Sequence, residues 1–324
     1  MRRVYCTPFM RPNKLYIVMP CFNESKGLFT TAKTVEAKLQ SLVDSHMIAE
    51  ESAMLFADDG SNDDTWDVIE ELHRTQANVK GIKLAANRGK EYALYAGLMA
   101  ARPHADIVVC MDADLQHDIN AIDRFLDKYQ KGYDLVYGIK NNRGHEPLYK
   151  RICSAAFYGL MNKLGSPIIK DHSDYSLMSR QVLNALSEYG ESNFIFRGIL
   201  RSLGFRQIGC HFDVLDRQEG VSKFSPRKLF NLSMDAITSF SVAPLRLIGL
   251  IGFGVVLISL VMIIWTIIDF FTRSTPNGWA TLACSIWFVG GISMICMAVI
   301  GEYLGKMYME TKKRPRFFIE KILN

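Results

Sequence analysis

The chain has 324 residues, of which 49% are hydrophobic and 22% are charged, and its formal net charge is +5 at pH 7. This length exceeds that of a typical single domain, and the apolar residues concentrate after Pro244. The modest positive charge suits an anionic bilayer surface and does not indicate a nucleic-acid partner. The composition therefore predicts one soluble part and one membrane-embedded part.

The amino terminus and the cysteines bear on the compartment. Met1-Arg2-Arg3 leads into a mixed stretch that reaches Lys14, where a signal peptide would have an apolar run, so we expect no cleaved signal peptide. The seven cysteines form no Cys-x-x-Cys pair and no metal-ligand spacing, which predicts reduced, mostly structural thiols. The soluble part is then expected to stay on the side of the membrane where it is made.

Short apolar runs alternate with helical patterns in the first part of the chain. The predicted strands are 15–19, 53–57, 81–84 and 107–111, and the predicted helices are 26–46, 64–76, 89–102 and 119–132. This alternation is typical of a parallel sheet flanked by helices. Ligands of such sheets bind at the carboxyl ends of the strands, so the residues that follow each strand are candidate site residues.

Each predicted strand runs into a polar segment. The four segments are Pro20-Cys21-Phe22-Asn23-Glu24, Asp58-Asp59-Gly60-Ser61, Asn87-Arg88-Gly89-Lys90 and Asp112-Ala113-Asp114-Leu115-Gln116. We interpret Asp58 and Asp59 as acceptors for a base N–H or a ribose hydroxyl, and Asp63 and Asp64 as structural, with Asp64 a possible N-cap. Four polar segments at one sheet edge predict a binding site.

Asp112 and Asp114 are separated by one small residue at the end of a predicted strand. This spacing lets one carboxylate bind a hard divalent cation while the other holds a ribose or an outer-shell water. Mg²⁺ or Mn²⁺ bound there would neutralise a leaving nucleotide diphosphate. Taken alone, the motif is more often a solvated loop than a metal site, and its position among the other polar segments reverses that preference.

Two apolar segments, Leu247–Ile268 and Trp279–Ile300, contain no Asp, Glu, Lys or Arg. As helices they are long enough for a hydrocarbon core of roughly 30 Å, and two buried helices of a soluble core are the alternative. The segment between them has Arg273 as its one basic residue. Basic residues flank the pair on both sides, upstream at Arg217, Lys223, Arg227, Lys228 and Arg246, and downstream at Lys306, Lys312, Lys313, Arg314 and Arg316. The bias of positive charge predicts a multi-pass inner-membrane protein with both ends, and the soluble part, in the cytoplasm.

The segment that precedes the first apolar helix also has helical spacing. Residues 226–243 predict an amphipathic helix at the membrane interface, and a packed soluble helix is the alternative. The resulting division is a cytoplasmic domain over 1–225, the interface helix over 226–243, two transmembrane helices within 244–304 and a cytoplasmic tail over 305–324.

The four polar segments, in this order, resemble those of glycosyltransferase family two with the GT-A fold, and the likeness extends through the two-helix anchor. Within the family, the chain is most similar to the polyprenyl-phosphate branch, which includes bactoprenol glucosyltransferases and dolichol-phosphate mannose synthases. The resemblance implies an α/β GT-A nucleotide-sugar-binding domain with a mostly parallel central sheet and a two-helix transmembrane anchor. It also implies that a sugar passes from a nucleotide sugar, with UDP-glucose or UDP-N-acetylglucosamine expected, to undecaprenyl phosphate with inversion.

The resemblance also assigns residues to roles. It implies that the nucleotide sugar is bound by Pro20, Phe22, Glu24, Asp58, Asp59, Lys90, Asp112, Ala113, Asp114 and Gln116. The metal is assigned to Asp112, Asp114 and Gln116, and the phosphates and acceptor to Lys140, Arg217, Ser222 and Lys223, of which the last three lie on a loop that closes over the site. Catalytic roles fall to Asp112, Asp114, Asp174 and Lys223.

The chain departs from the family pattern in two places. Ser173-Asp174-Tyr175-Ser176 stands where the family often has Gly-Asp-Phe-Arg, so an arginine is missing, and Phe22 stands where Tyr is common. His172 beside this segment is either a metal ligand or base, or a structurally satisfied histidine. A phosphate monoester attacks without strong base help, so Asp174 is expected to orient the acceptor.

Other classes of protein are less compatible with the sequence. A processive polysaccharide synthase would carry Gln-x-x-Arg-Trp, and none of the four tryptophans follows an arginine. A dinucleotide oxidoreductase would show G-x-G-x-x-G after the first strand. A catalytically inactive membrane scaffold or sensor would lose the metal carboxylates, whereas Asp112 and Asp114 are present. The family also implies a homo-oligomer, for which a tetramer is one form, and a downstream flippase and acceptor glycosyltransferase as partners.

Overall fold

The computed structural model describes residues 12–141, 172–190, 196–214, 243–272 and 278–324. These residues divide into two units. The sheet unit comprises 12–141, 172–190, 196–214 and 314–324, and the helical unit comprises 243–272 and 278–313.

The sheet unit alternates strands and helices along most of its length. Its elements are β1 (Leu15–Cys21), α1 (Leu28–Asp44), β2 (Ala53–Asp58), α2 (Thr65–Thr75), β3 (Val79–Leu84), α3 (Lys90–Ala101), β4 (Ile107–Cys110), α4 (Ala121–Gln130), β5 (Leu135–Lys140), β6 (His172–Ser179), α5 (Arg180–Glu188), α6 (Phe196–Ser202), β7 (Gln207–Phe212) and β8 (Ile319–Leu323). The four strands and four helices predicted before residue 132 are confirmed.

The strands of the described residues form one sheet in the order β7-β5-β6-β4-β1-β2-β3-β8. Neighbours β4, β1, β2 and β3 are parallel, and β5 is parallel to β7. Strand β6 runs antiparallel between β4 and β5, and β8 is antiparallel to β3. The prediction of an α/β fold with a mostly parallel sheet is therefore confirmed.

The core of the sheet unit lies on both faces of its central strands. Every residue of β1 and β2 is buried, which explains why both strands are almost continuous apolar runs. Helix α3 packs so closely on the sheet that a Cβ at Gly97 would lie 2.6 Å from Val18 Cγ1. Because Lys90 begins this helix, the close packing also fixes the base of a candidate site residue.

The carboxyl-terminal segment returns to the sheet. Strand β8 pairs with β3, the Phe317 ring lies edge-on to Tyr95 of α3 with a centroid distance of 6.2 Å, and the Arg316 guanidinium lies 4.7 Å from the centroid of the same ring. The sequence predicts a cytoplasmic tail over 305–324 and no strand there, so β8 is a finding of the structure. Its five residues are mostly exposed and include Glu320 and Lys321, so they lack an apolar signal.

The helical unit contains α7 (Ala243–Thr272) and α8 (Trp279–Thr311), which cover both predicted membrane segments. Helix α8 continues past its predicted end at Ile300. Within the described ranges, Phe288–Thr311 is the one segment long and apolar enough to cross a membrane, with a mean hydropathy of 1.6, and α7 contains the shorter apolar stretch Ile248–Met262. The predicted interface helix lies outside the described residues, apart from Ala243 at the start of α7.

Candidate functional site

The candidate site lies at the carboxyl ends of the central strands. Because β4, β1, β2 and β3 are parallel, the segments that follow them meet at one edge of the sheet. Strand β6 is antiparallel to β4 and pairs Ser176 with Cys110, so the first residues of β6 extend past the end of β4. Asp174 therefore reaches the same edge as the four polar segments.

The segments after β1 and β2 are joined by hydrogen bonds. The backbone N–H of Asn23 donates to Ser61 Oγ at 3.0 Å, and the backbone N–H of Asn62 donates to Asn23 Oδ1 at 3.0 Å. The backbone N–H of Glu24 donates to Thr65 Oγ1, also at 3.0 Å. These reciprocal bonds make the two segments one surface.

Asp58 lies beneath this surface and is fully buried. Its Oδ1 accepts the backbone N–H of Ser61 at 3.1 Å and the Ser61 hydroxyl at 2.5 Å. Its Oδ2 is buried and has no hydrogen-bond partner among the described residues. Burial raises the pKa of Asp58 above its usual value. Buried acceptors in proteins usually receive a hydrogen bond, so this oxygen is a candidate acceptor for a ligand donor.

Pro20 and Phe22 flank the same segment in contrasting environments. Pro20 is buried as part of β1, whereas the Phe22 side chain is 38% exposed. An exposed aromatic ring offers a flat surface for a planar base. Pro20 and Phe22 are both predicted nucleotide contacts, and of these two only Phe22 has an accessible side chain.

Asp59 holds the segment between β3 and α3. Its Oδ1 accepts the backbone N–H of Arg88 and its Oδ2 accepts that of Gly89, both at 2.8 Å. Burial raises the pKa of Asp59, although these two bonds oppose the shift. Next to it, Gly60 has φ +67°, and a Cβ there would lie 2.7 Å from the carbonyl carbon of Ala86. Asp59 and Gly60 therefore fix the backbone that leads into Lys90.

Lys90 joins two carboxylates that come from different strands. Its Nζ lies 2.6 Å from Asp112 Oδ1 and 2.9 Å from Asp174 Oδ2. On the other side, Arg197 Nε of α6 donates to Asp174 Oδ1 at 2.6 Å. We call these four residues the ion-paired cluster. It places two cations and two anions at the carboxyl edge of the sheet.

Burial and charge shift the pKa in opposite directions at two members of this cluster, Asp174 and Lys90. Burial favours the neutral form of Asp174, but Arg197 and Lys90 outweigh it and hold the pKa of Asp174 well below its usual value. Likewise, burial lowers the pKa of Lys90, but Asp174 and Asp112 raise it above its usual value. Both groups are therefore charged across the neutral range.

His117 is a buried residue, 3% exposed, that contacts the backbone of the cluster at Asp112. Its Nδ1 accepts the backbone N–H of Asp112 at 3.2 Å, and its Nε2 lies 3.2 Å from Ser173 Oγ. The ring stacks on Tyr175 with a centroid distance of 4.8 Å. Burial lowers the pKa of His117, so the ring is neutral and can bridge these partners. His117 therefore links the segment after β4 to the strand that carries Asp174.

The segment after β4 is also held by its own backbone. The hydroxyl of buried Thr31 donates to the carbonyl oxygen of Ala113 at 2.7 Å, and Asp114 Oδ1 accepts the backbone N–H of Gln116 at 3.2 Å. Leu115 adopts φ +55°, which turns the chain sharply. Among the described residues, no three His, Cys, Asp or Glu side chains form a metal-holding group.

The other predicted site residues are Lys140, the closing-loop residues and His172. Lys140 ends β5 with an exposed side chain. Arg217, Ser222 and Lys223 lie outside the described residues. His172 is buried with its ring 5.0 Å from that of Tyr137, and burial lowers its pKa to about 4. It is a neutral, packed ring and belongs to no metal-holding group in the described ranges.

Sequence reasoning missed Arg197 and Glu91. Glu91 Oε2 accepts the backbone N–H of Phe196 at 3.2 Å, which attaches the start of α6 to α3. Burial, reinforced by the charge of Asp174, raises the pKa of Glu91 to about 7. Arg197 is separated from Asp174 by more than twenty residues, and no local pattern connects them.

The sequence of the chain is similar to those of known proteins. The profile described as Glycosyl transferase family 2 matches residues 16–187. The chain is 40% identical over 306 residues to the uncharacterized glycosyltransferase YkoT of Bacillus subtilis (strain 168), covering 94% of this chain and 91% of YkoT. It is 36% identical over 309 residues to the bactoprenol glucosyl transferase of Shigella phage SfX, covering 95% of this chain and 99% of the phage protein. Glucosyl-3-phosphoglycerate synthase from Mycobacterium tuberculosis, solved with Mn²⁺, uridine diphosphate and phosphoglyceric acid, is similar over 70% of this chain and 76% of the solved one, at 18% identity and a TM-score of 0.43.

Proposed function

We propose that this chain, which belongs to glycosyl transferase family 2, transfers a glucosyl residue from UDP-glucose to undecaprenyl phosphate. The observation that carries the proposal is the ion-paired cluster, in which Lys90 brings Asp112 and Asp174 together at the carboxyl edge of a GT-A sheet. The lipid acceptor is supported by the 36% identity to a bactoprenol glucosyl transferase over nearly the whole chain. UDP-N-acetylglucosamine is the second donor that we consider.

The segments after β1 and β2 are proposed to bind the nucleotide. Phe22 offers an exposed ring for the base, and Asp58 has a buried oxygen that accepts no hydrogen bond from the described residues. A base N–H that reached this buried oxygen on binding would satisfy it. Pro20 and Glu24 complete the pocket, while Asp59 contributes by holding the backbone of the next segment.

A divalent cation is proposed at Asp112, Asp114 and Gln116. The oxygen donors of these side chains are hard ligands, and their small number suits Mg²⁺ or Mn²⁺, which bind through one or two carboxylates together with substrate phosphates. When bound, the cation would neutralise the charge that develops on the leaving diphosphate. Thr31 and His117 hold the backbone of this segment in place.

Asp174 is proposed to orient the acceptor phosphate. Arg197 and Lys90 hold the pKa of Asp174 low, so Asp174 is a weak general base. This agrees with a lipid phosphate as the sugar acceptor, because an anionic phosphate does not need a base to remove a proton before it attacks. In-line attack by that phosphate on the anomeric carbon would invert the linkage and give a β-linked product. Lys140, Arg217, Ser222 and Lys223 are proposed to contact the phosphates, with the last three on a closing loop.

The helical unit is proposed to be a two-helix membrane anchor made of α7 and α8, preceded by an interface helix over 226–243. Segment Phe288–Thr311 meets the length and hydropathy expected of a spanning helix, and the basic residues on both flanks favour cytoplasmic ends. A multi-pass inner-membrane protein of this kind would keep its sheet unit beside cytosolic nucleotide sugars and lipid phosphate. We also propose a homo-oligomer, for example a tetramer, that supplies its lipid product to a flippase and a second glycosyltransferase.

The test is lipid labelling with purified full-length protein in detergent. The protein is incubated with Mg²⁺ or Mn²⁺, undecaprenyl phosphate and radiolabelled UDP-glucose, with UDP-N-acetylglucosamine and GDP-mannose in parallel. We expect label in the organic phase from UDP-glucose, and a β configuration of the product by NMR. Asp114→Ala is expected to abolish labelling, whereas Asp127→Ala, at an exposed carboxylate on α4, should not.

Folded protein that labels no lipid from any donor would contradict the proposal and favour an inactive scaffold or sensor. Labelling from a different donor would keep the reaction class and change the sugar. Labelling that survives chelation of divalent cations would remove the metal from the proposal.

A further inference from the structure

The ammonium of Lys90 contacts the carboxylate to which the proposed function assigns a cation. Lys90 Nζ lies 2.6 Å from Asp112 Oδ1, which is shorter than its 2.9 Å contact with Asp174. On the other side of the same carboxylate, Asp112 Oδ2 lies 3.8 Å from the buried ring of His117. Both oxygens of Asp112 therefore face residues of the chain itself.

An ammonium and a divalent cation cannot share this carboxylate without strong repulsion. Like charges a few ångströms apart repel strongly even at the effective dielectric of a protein surface. A cation that binds Asp112 closely must therefore displace Lys90 Nζ. The Lys90 side chain is 45% exposed and has a flexible four-carbon stem, so its end can move while its backbone stays fixed.

Displacement of Lys90 leaves the other carboxylate of the cluster compensated. Arg197 Nε remains 2.6 Å from Asp174 Oδ1, so Asp174 retains a cationic partner. Lys90 by contrast needs a new anion. A nucleotide diphosphate that arrives with the cation provides one, because its phosphoryl oxygens accept charge-assisted hydrogen bonds from lysine.

We propose that Lys90 competes with the divalent cation for Asp112, so that the cation binds tightly only when a nucleotide diphosphate is present to accept Lys90. This inference rests on the proposed metal site and adds an order of binding to it. Lys90 thereby prevents free divalent cations from filling the site ahead of the donor. After the transfer, departure of the diphosphate returns Lys90 to Asp112 and weakens the hold on the cation.

The test measures Mn²⁺ binding to detergent-solubilised full-length protein by electron paramagnetic resonance, with and without UDP. Wild type is expected to bind Mn²⁺ weakly alone and much more tightly with UDP. Lys90→Met is expected to bind Mn²⁺ alone at least about tenfold more tightly than wild type, because the competing charge is gone. Lys90→Arg keeps the charge and should behave like wild type.

Lys131→Met is the matched control, because Lys131 lies 2.7 Å from Asp127 in an exposed pair on α4 and should leave Mn²⁺ binding unchanged. Thermal unfolding of each variant verifies that it is folded. If folded Lys90→Met binds Mn²⁺ alone no more tightly than wild type does, the inference is overturned. The proposed metal site still stands in that case, provided that wild type with UDP binds Mn²⁺ and Asp114→Ala with UDP does not. If wild type with UDP binds Mn²⁺ no better than Asp114→Ala does, both the inference about Lys90 and the proposed metal site are overturned.

Discussion

Two neighbouring regions of the site are built by different interactions. The hydrogen-bonded region, residues 20–24, 58–65 and 87–89, is held by backbone N–H groups and short side chains, for example where Arg88 and Gly89 donate to Asp59. The ion-paired cluster of Lys90, Asp112, Asp174 and Arg197 is held by four charges from four different parts of the fold. The structure of the first region depends on local backbone geometry, and the structure of the second depends on the balance of its charges.

This difference predicts how each region responds to change. Hydrogen bonds from a backbone are directional, so the first region should tolerate a change of charge better than a change of backbone shape. In the cluster, removal of one charge leaves its partners uncompensated, and a buried charge without a partner is costly. Substitutions that separate backbone shape from charge can therefore test the comparison.

The largest effect is expected for Asp174→Asn in the ion-paired cluster. The amide removes the anion between Lys90 and Arg197, and we expect a fall in the free energy of unfolding of about 2–3 kcal/mol, limited by the partial exposure of both cations. Lipid labelling should fall by about a hundredfold or more, because a group that orients the acceptor is lost. Thermal unfolding and initial rates measure the two effects.

Asp127→Asn is the control for that experiment. Asp127 pairs with Lys131 at 2.7 Å, but both side chains are more than half exposed, so the change in unfolding free energy should stay below about 0.5 kcal/mol. A similar loss of stability in Asp174→Asn and Asp127→Asn would show that membership of the ion-paired cluster does not increase the contribution of an aspartate to stability.

Gly60→Ala should damage the hydrogen-bonded region through backbone shape alone. The residue has φ +67°, and the new Cβ would lie 2.7 Å from the carbonyl carbon of Ala86, so we expect a loss of about 2 kcal/mol. Gly204→Ala is a matched control, since φ is +73° and the space around it is open, and it should cost about 1 kcal/mol. Equal losses in the two variants would rule out the close approach as the cause.

The smallest effect concerns pH. It has one sign for His172, which lies on the same strand as Asp174, and the opposite sign for Asp58 and Asp59 of the hydrogen-bonded region. Burial lowers the pKa of His172 to about 4, below the 6.5 or so of an unfolded chain, so the unfolded state binds more protons and stability falls as pH drops below about 6.5. The raised pKa values of Asp58 and Asp59 act the other way, since the folded state takes up protons first as the pH falls further.

His172→Phe keeps an aromatic ring against Tyr137 and removes the titrating group. Between pH 7 and pH 5 this variant should lose about 1–2 kcal/mol less stability than wild type, and the comparison of two variants cancels the other titrating groups. Unfolding followed at both pH values measures the difference. Parallel losses in the two proteins would mean that His172 is already protonated in the folded state at pH 5.

The hydrogen-bonded region was largely predictable because its causes are local. A buried strand such as β2 is a continuous apolar run, and the polar residues Asp58 and Asp59 at its end mark the edge where ligands bind. The same logic located Asp112 and Asp114. The roles within each segment were harder to predict, since Asp58 and Asp59 are adjacent in sequence and only the structure shows that Asp59 holds a loop.

The ion-paired cluster and the returning strand were not predictable in the same way. Arg197 meets Asp174 through the packing of a short helix that lies in a different part of the chain. Strand β8 pairs with β3 although more than two hundred residues separate them, and its exposed, charged sequence carries no strand signal. Both contacts depend on how distant elements pack.

By itself, the sequence determined the α/β class, the order of the first four strand and helix pairs, the edge that carries the site and the apolar carboxyl-terminal helices. These follow from hydrophobic periodicity and from the polar residues that end each strand, and both act over a few residues. Only the tertiary structure decided that Lys90 bridges Asp112 and Asp174, that His117 is a buried neutral link and that β8 completes the sheet. Ion pairs between distant residues and the pairing of β8 with β3 have no local sequence signal, because their free energy depends on which distant groups the fold brings within a few ångströms.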